Sequence, residues 1–156
     1  EKIILPHTSP RNDQQRIAVK AVVTIDGIEI PTYSVHTETM VLGRDKRRAQ
    51  INHLIDSIDD DHQYVIVGGD FNTALGHNVE GLEKQFQQAG FERASGDSGP
   101  TFQLECLKLT FDHVFARGLT THSVATLAET KASDHWPVSV TFSIEPDAVL
   151  SSRAAN

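Results

Sequence analysis

Apolar and polar residues alternate over residues 16–25, so that Ile17, Val19, Ala21, Val23 and Ile25 share one face of an extended chain. Asp26-Gly27 follows, a pair suited to two-residue hairpins because both positions tolerate positive φ. Residues 28–38 return as a second strand, with Ser34, His36 and Glu38 on a common face. The period then changes. Ile51, Leu54, Ile55 and Ile58 recur three or four apart, which predicts a helix over residues 45–59. Arg44, Lys46, Arg47 and Arg48 crowd its start, against the sign of the helix dipole. Such a basic cluster can face phosphate; a solvated face is the simpler reading. Asp59-Asp60-Asp61 reads as the hydrophilic turn that ends this helix.

Tyr64 to Val67 has the make-up of a short buried strand, and Gly68-Gly69 removes side chains where it ends. Beyond them Asp70 and Asn72 point one way and Phe71 the other. A second helix is expected over residues 80–89, with Leu82 and Phe86 inward and Gly90 at its C-cap. Residues 110–116 and 119–127 read as strands joined at Arg117-Gly118. A polar cluster at 133–136 feeds a last strand bearing Val138, Val140 and Phe142 on one face. Pro137, which has no N–H, sits at its start. Residues 1–15 are expected to be mostly loop, because Pro6, Pro10, Asn12 and Asp13 break any period. Residues 94–100 read as a flexible loop and 146–156 as a disordered tail. There is no internal repeat and no low-complexity segment.

The 156 residues are enough for one domain with a real core. With 14 Lys and Arg against 21 Asp and Glu, the net charge is −7. That argues against avid nucleic-acid binding by the surface as a whole, but not against a local basic groove. Cys106 is the single cysteine, which excludes an intrachain disulfide and gives no zinc spacing. No apolar run is long enough for a transmembrane segment, and no signal peptide or amphipathic leader opens the chain. The chain starts at Glu1 and runs straight into Ile3-Ile4-Leu5, so it reads as cut from something longer. Localisation is therefore left open.

Four polar islands stand at the ends of expected strands: Ser34-Val35-His36-Thr37, Gly69-Asp70-Phe71-Asn72, Phe111-Asp112-His113-Val114-Phe115 and Ser133-Asp134-His135-Trp136-Pro137-Val138. Each alone has a bland reading, as an Asx turn, a loop cap or a hydrogen-bonded strand histidine. In this order the four resemble the endonuclease/exonuclease/phosphatase superfamily, the DNase I-like fold, over roughly residues 16–144. The resemblance implies an α/β (α+β) protein, a four-layer αββα sandwich. Here residues 1–145 would form only the C-terminal part of it, a mostly antiparallel or mixed sheet flanked by helices. The family's first half carries an Asn and a Glu near the metal, and no stretch of this chain matches them.

The same resemblance implies a metal-dependent phosphoesterase and assigns roles. His135 matches the histidine that contacts the scissile phosphate and helps activate water, and Asp112 would bond its other ring nitrogen. Asp70 would position or deprotonate the water, and Asn72 would donate to a phosphoryl oxygen. His36 would be a second phosphate ligand or the leaving-group acid. Asp134, with Asp70, would hold Mg²⁺, for which Mn²⁺ is a natural substitute. His113 alternates away from Asp112 and reads as structural, and Phe71 and Trp136 read as packing.

Calcineurin-like metallophosphatases also use Gly-Asp, but they want Asp-x-His early and Gly-Asn-His later, and neither occurs. A zinc site from His36, Asp70, Asp134 and His135 would leave Asn72 without a place. A non-catalytic module that keeps the fold stays open as the alternative function. The substrate is a phosphoester, with nucleic acid, phospholipid and inositol phosphate unresolved. An incomplete sheet would also offer an edge for self-association, with association or disorder expected near residues 137–145.

Overall fold

The structure, a computed structural model, describes residues 1–74, 76–128, 130 and 132–144. Its elements run β1 (Lys2–Thr8), β2 (Gln15–Ile25), β3 (Ile28–His36), α1 (Arg44–Asp56), β4 (Val65–Asp70), α2 (Gly76–Gln88), β5 (Glu92–Arg93), β6 (Phe102–Leu104), β7 (Leu107–Leu109), β8 (Asp112–Arg117), β9 (Thr120–Thr126) and β10 (Val138–Ser143). A single 3-10 turn over Met40–Leu42 precedes α1.

Six strands form one mixed sheet in the order β1-β2-β3-β4-β8-β5. The Asp26-Gly27 turn has φ of 52° and 81°, as a hairpin of this hand requires, and it sets the register Ile25↔Ile28 between β2 and β3. β3 and β4 are parallel, and α1 makes the crossover that parallel neighbours need. β8 returns antiparallel to β4.

The core lies on the face of this sheet that carries the helices. Ile51, Leu54 and Ile58 and, from α2, Leu82 and Phe86 pack onto Tyr33, Val35, Val65, Val67 and Phe115. Phe86 stacks on Phe115 at 4.0 Å between centroids and meets Phe71 edge-on at 5.7 Å. Each such ring contributes about 1.5–3 kcal/mol by leaving water. The opposite face of β1 and β2 presents Ile4, Ile17, Val19, Val23 and Ile25, between 38 and 53% exposed. Close to that opposite face, near β4 and β8, lies the separate two-stranded sheet of β9 and β10. A cavity between them is lined by Gly68 and Val114 on one side and Trp136, Pro137 and Val138 on the other. Among the described residues this makes three layers, helices, large sheet and small sheet, of an α/β fold.

Several expectations need correction. Residues 2–8 are strand, not loop, because Ile3 and Leu5 point into the core and β1 is an edge strand, where Pro6 is tolerated. The proline leaves its mark, since the ladder to β2 is irregular between Ile4 and Thr8. Helix α2 starts at Gly76, four residues earlier than expected, and α1 ends at Asp56, before the aspartate run. The stretch 94–100 is a loop pinned to β8: Val114 N–H donates to Ser95 Oγ at 2.9 Å, and Ser95 and Ser98 are buried. β10 is paired with β9 over Val138–Ser143. Glu145 and the expected tail at 146–156 lie outside the described residues.

Candidate active site

Strand pairing builds most of the site. His36 lies opposite Asp70 in the β3–β4 ladder, and Asp70 opposite Asp112 in the β4–β8 ladder. The three side chains therefore form one row across three neighbouring strands, at the carboxyl ends of β3 and β4, where α/β sheets place ligands. The approach of β3 to β4 depends on Gly69. Its φ is 147°, and a Cβ there would collide with the Val35 carbonyl.

His135 reaches this row from the segment before β10. A backbone bridge to Phe102 holds the segment, and Trp136 N–H donates to the Thr101 carbonyl at 2.6 Å. The imidazole packs against both Phe102 and Phe111, with centroids 5.0 and 5.9 Å away. Its Nδ1 donates to Asp112 Oδ2 at 2.7 Å, the expected contact. Nε2 is left facing Asp70 Oδ2 at 4.0 Å. Partial burial disfavours the imidazolium, but the Asp112 hydrogen bond and charge, with Asp70 and Asp134, outweigh it and raise the His135 pKa above its ordinary value.

Asp112 is fixed from its other side by Thr101, whose Oγ1 donates to Oδ2 at 2.6 Å and accepts from the N–H groups of Phe111 and Asp112. Asp70 Oδ1 accepts from Asn72 N–H at 2.8 Å, and its Oδ2 lies 3.5 Å from His36 Nε2. Burial, helped by the charge of Asp112, raises the Asp70 pKa, while the Asn72 N–H and the two imidazoles act against it. Ligating atoms of Asp70, Asp112 and His135 converge within 4.8 Å of one another, which could hold a metal ion.

Asn72 sits with φ of 50°, and its Nδ2 donates to the Thr37 carbonyl at 2.9 Å, using one of two amide N–H groups. Arg16 Nη1 lies 3.2 Å from His36 Nε2. Arg16 is held by Glu38 through contacts of 3.2 and 3.3 Å. Burial alone would raise the Glu38 pKa, but the hydrogen bonds from Arg16 and Thr39 bring it below its ordinary value. Asp134 is exposed, accepts from Ser133 Oγ at 3.1 Å and stands outside the converging group. His113 is buried and donates from Nε2 to the Thr73 carbonyl at 3.3 Å, on the helix side of the sheet.

The structure thus brings together His36, Asp70, Asn72, Asp112 and His135, and leaves Asp134 at the rim. Sequence reasoning missed Thr101, Arg16 and the part-buried ion pair of Arg16 with Glu38. Thr101 belongs to no motif, and the Arg16–Glu38 pair exists only because β2 and β3 align.

A family model described as Endonuclease/Exonuclease/phosphatase family matches residues 3–135. The chain belongs to that family. A UPF0294 protein of Vibrio vulnificus is 30% identical over 124 residues, which cover 78% of this chain and 42% of that protein. The chain therefore spans less than half the length of this relative. Among solved structures, an endonuclease/exonuclease/phosphatase family protein from Leptotrichia buccalis superposes with a TM-score of 0.73 at 20% identity. It covers 92% of this chain and 61% of that one. The inositol polyphosphate 5-phosphatase domain of SPsynaptojanin, solved with inositol (1,4)-bisphosphate and calcium ion, superposes with a TM-score of 0.66 at 16% identity. It covers 92% of this chain and 54% of the other. These likenesses show the DNase I-like fold. No helix among the described residues is long and apolar enough to cross a membrane.

Proposed function

We propose that these residues form the acid–base part of a site that hydrolyses a phosphate ester with the help of a divalent cation. The observation that carries this reading is the Asp112–His135 hydrogen bond of 2.7 Å, which leaves Nε2 turned to Asp70 across 4.0 Å. A gap of that size suits a water bridging a carboxylate and an imidazole. In this reading Asp70 holds the attacking water, and His135 Nε2 takes its proton as the oxygen closes on phosphorus; the ester P–O bond breaks as the new one forms, and the departing oxygen leaves as an alcohol after taking a proton from solvent. Asp112 fixes the tautomer and stabilises the imidazolium that results. The raised His135 pKa makes Nε2 a stronger base, available above that pKa. Asn72 offers its second amide N–H to a phosphoryl oxygen as charge builds there. His36, with Arg16 beside it, is a phosphate ligand.

The residues fit a hard cation. Asp112 Oδ2 already accepts two hydrogen bonds, from Thr101 and His135, whereas Asp70 Oδ2 meets only imidazole nitrogens at 3.5 and 4.0 Å. Asp70 is therefore the carboxylate open to Mg²⁺ or Mn²⁺, with exposed Asp134 as an outer candidate. Mg²⁺ is commonly held by one or two carboxylates, with waters and substrate phosphate completing its shell. Bound there, it would offset the charge of the phosphate and polarise it. The substrate, whether nucleic acid, phospholipid or inositol phosphate, is a phosphoester in each case.

We also propose that residues 1–145 are the C-terminal part of the domain. The short coverage of the relatives supports this, as do the bare apolar face of β1 and β2 and the lack of a match to the family's early Asn and Glu. The test is therefore made in a protein that carries the whole domain, on a chromogenic phosphodiester and phosphomonoester with Mg²⁺ and Mn²⁺. His135→Ala is expected to lower turnover by about a hundred- to ten-thousand-fold while leaving the melting temperature close to wild type. Near-normal turnover would remove His135 from the mechanism and favour the binding-module reading.

A further inference from the structure

Away from the row of Asp70 and Asp112, a groove of about 380 Å³ runs between α1 and α2. Four cationic side chains line it, Arg44, Arg47 and Arg48 from α1 and Lys84 from α2. Among the described residues that line it there is no carboxylate. In a chain of net charge −7 such a segregated positive groove is unexpected. It also accounts for the basic start of α1, which works against the helix dipole unless a negative partner is near.

A second observation concerns residues of the same groove. Side-chain polar atoms that are buried and lack a hydrogen-bond partner include Thr37 Oγ1, Thr73 Oγ1 and Arg47 Nε, and all three residues line it. Thr37 and Arg47 are more than nine-tenths buried. Buried donors and hydroxyls are normally paired, so three unpaired atoms on residues that line one groove would be satisfied by an acceptor-rich partner toward which these side chains turn. Water would satisfy the hydroxyls but would not offset the positive charge of the groove. Burial and the charge of Arg44 already press the Arg47 pKa below its ordinary value. The floor is apolar, formed by Ile51, Phe71 and Leu82.

We propose that this groove is a second ligand site, which takes a small molecule carrying a phosphoryl group on an apolar body. The phosphoryl oxygens would accept from Thr37, Thr73 and Arg47, with Arg44, Arg48 and Lys84 neutralising the charge. Bidentate geometry makes arginine well suited to this role. The site is not isolated from the hydrolytic row. Arg47 Nη1 donates to the Asn72 carbonyl at 2.8 Å, and Asn72 donates to the Thr37 carbonyl at 2.9 Å. A ligand that engages Arg47 and Thr37 therefore bears on the position of Asn72.

The test is calorimetric titration of the chain with phenyl phosphate in the presence of EDTA. Without a divalent cation, the carboxylates of the hydrolytic row repel anions. Saturable one-to-one binding is expected, at least fivefold tighter than for inorganic phosphate. Arg48→Glu with Lys84→Glu, both exposed positions, is expected to weaken it tenfold or more. The milder Arg48→Gln with Lys84→Gln should weaken it about threefold, and His135→Ala should leave it within twofold. Absent or non-saturable binding, equal affinity for inorganic phosphate, survival of binding in the charge-reversed variant, or its loss in His135→Ala would each overturn the proposal. None of these readouts depends on hydrolysis, so failure of the proposed reaction would not mimic failure here.

Discussion

His113 and Asp112 are neighbours with opposite fates, because a strand sends consecutive side chains to opposite faces. Asp112 joins the candidate site, while His113 goes into the core beside Phe71 and Phe115, with centroids 6.0 and 6.3 Å away. Alternation alone made that division legible in the sequence. The chemical consequence was not legible, since it depends on what surrounds the ring. Burial, against the hydrogen bond to Thr73, pushes the His113 pKa down to about 4 from 6.5. Its Nδ1 has no partner, as suits a neutral ring protonated on Nε2. The unfolded chain takes up a proton below about pH 6.5, whereas the folded protein does so only near pH 4. The stability that the neutral ring contributes is therefore present above pH 6.5 and is lost as pH falls through this window. Between pH 7.5 and 4.5 the loss from this group is expected to be roughly 2–3 kcal/mol. Denaturant unfolding at the two pH values, in wild type and in His113→Gln, isolates it. Gln can still donate to the Thr73 carbonyl but does not titrate, so an equal acid loss in both proteins would contradict the assignment.

At the scale of the element, what the sequence revealed followed the reach of each signal. β2, β3 and β4 carry period-two patterns with turn residues at their ends, and they appear within a few residues of their expected bounds. β5, β6 and β7 have two or three residues each, too few to show a period, and exist because a partner strand supplies their hydrogen bonds. The Gly68-Gly69 pair shows the same division inside one element. The sequence marks both glycines as points of close approach, but the structure requires one. A Cβ on Gly68 would meet Val114 Cγ2 at 3.7 Å, an ordinary contact, whereas on Gly69 it would run into the backbone of Val35. Gly68→Ala is accordingly expected to change stability by less than about 1 kcal/mol. Gly69→Ala should cost about 3 kcal/mol or more, from a left-handed backbone and a clash that only strand separation relieves. Melting temperatures of the two variants decide this, and equal losses would mean that β3 and β4 do not approach as described. Because His36 and Asp70 lie opposite each other on these two strands, the damage from Gly69→Ala should extend to activity.

For the whole molecule, net charge proved a poor guide to local electrostatics. A total of −7 is compatible with a groove lined by four cations, because a sum over the surface says nothing about segregation. The apolar pattern of β2 was more informative. It put Ile17, Val19, Val23 and Ile25 on one face, and these are the residues left between 38 and 50% exposed. A face of this kind is an association surface in water. The proposal that the domain is completed by sequence outside this chain therefore makes two linked predictions. The chain alone should self-associate, with a light-scattering mass above 17.2 kDa that falls as Ile17 and Val19 are replaced by threonine. It should also hydrolyse phosphodiesters far more slowly than the longer protein. Asp70 is the main carboxylate open to a cation here, and so small a donor set holds Mg²⁺ weakly. Without the cation, Asp70 and Asp112 face a phosphodiester anion with only imidazole and guanidinium groups to offset them. The missing contribution is worth several kcal/mol, or about a thousand-fold in rate. Both proteins would be assayed side by side on a chromogenic phosphodiester with Mg²⁺ and Mn²⁺, followed by EDTA. EDTA should abolish turnover by the longer protein and change little in the chain alone. Equal metal-dependent rates would mean that the site is complete within these residues and that the bare face of β1 and β2 serves something other than the rest of the domain.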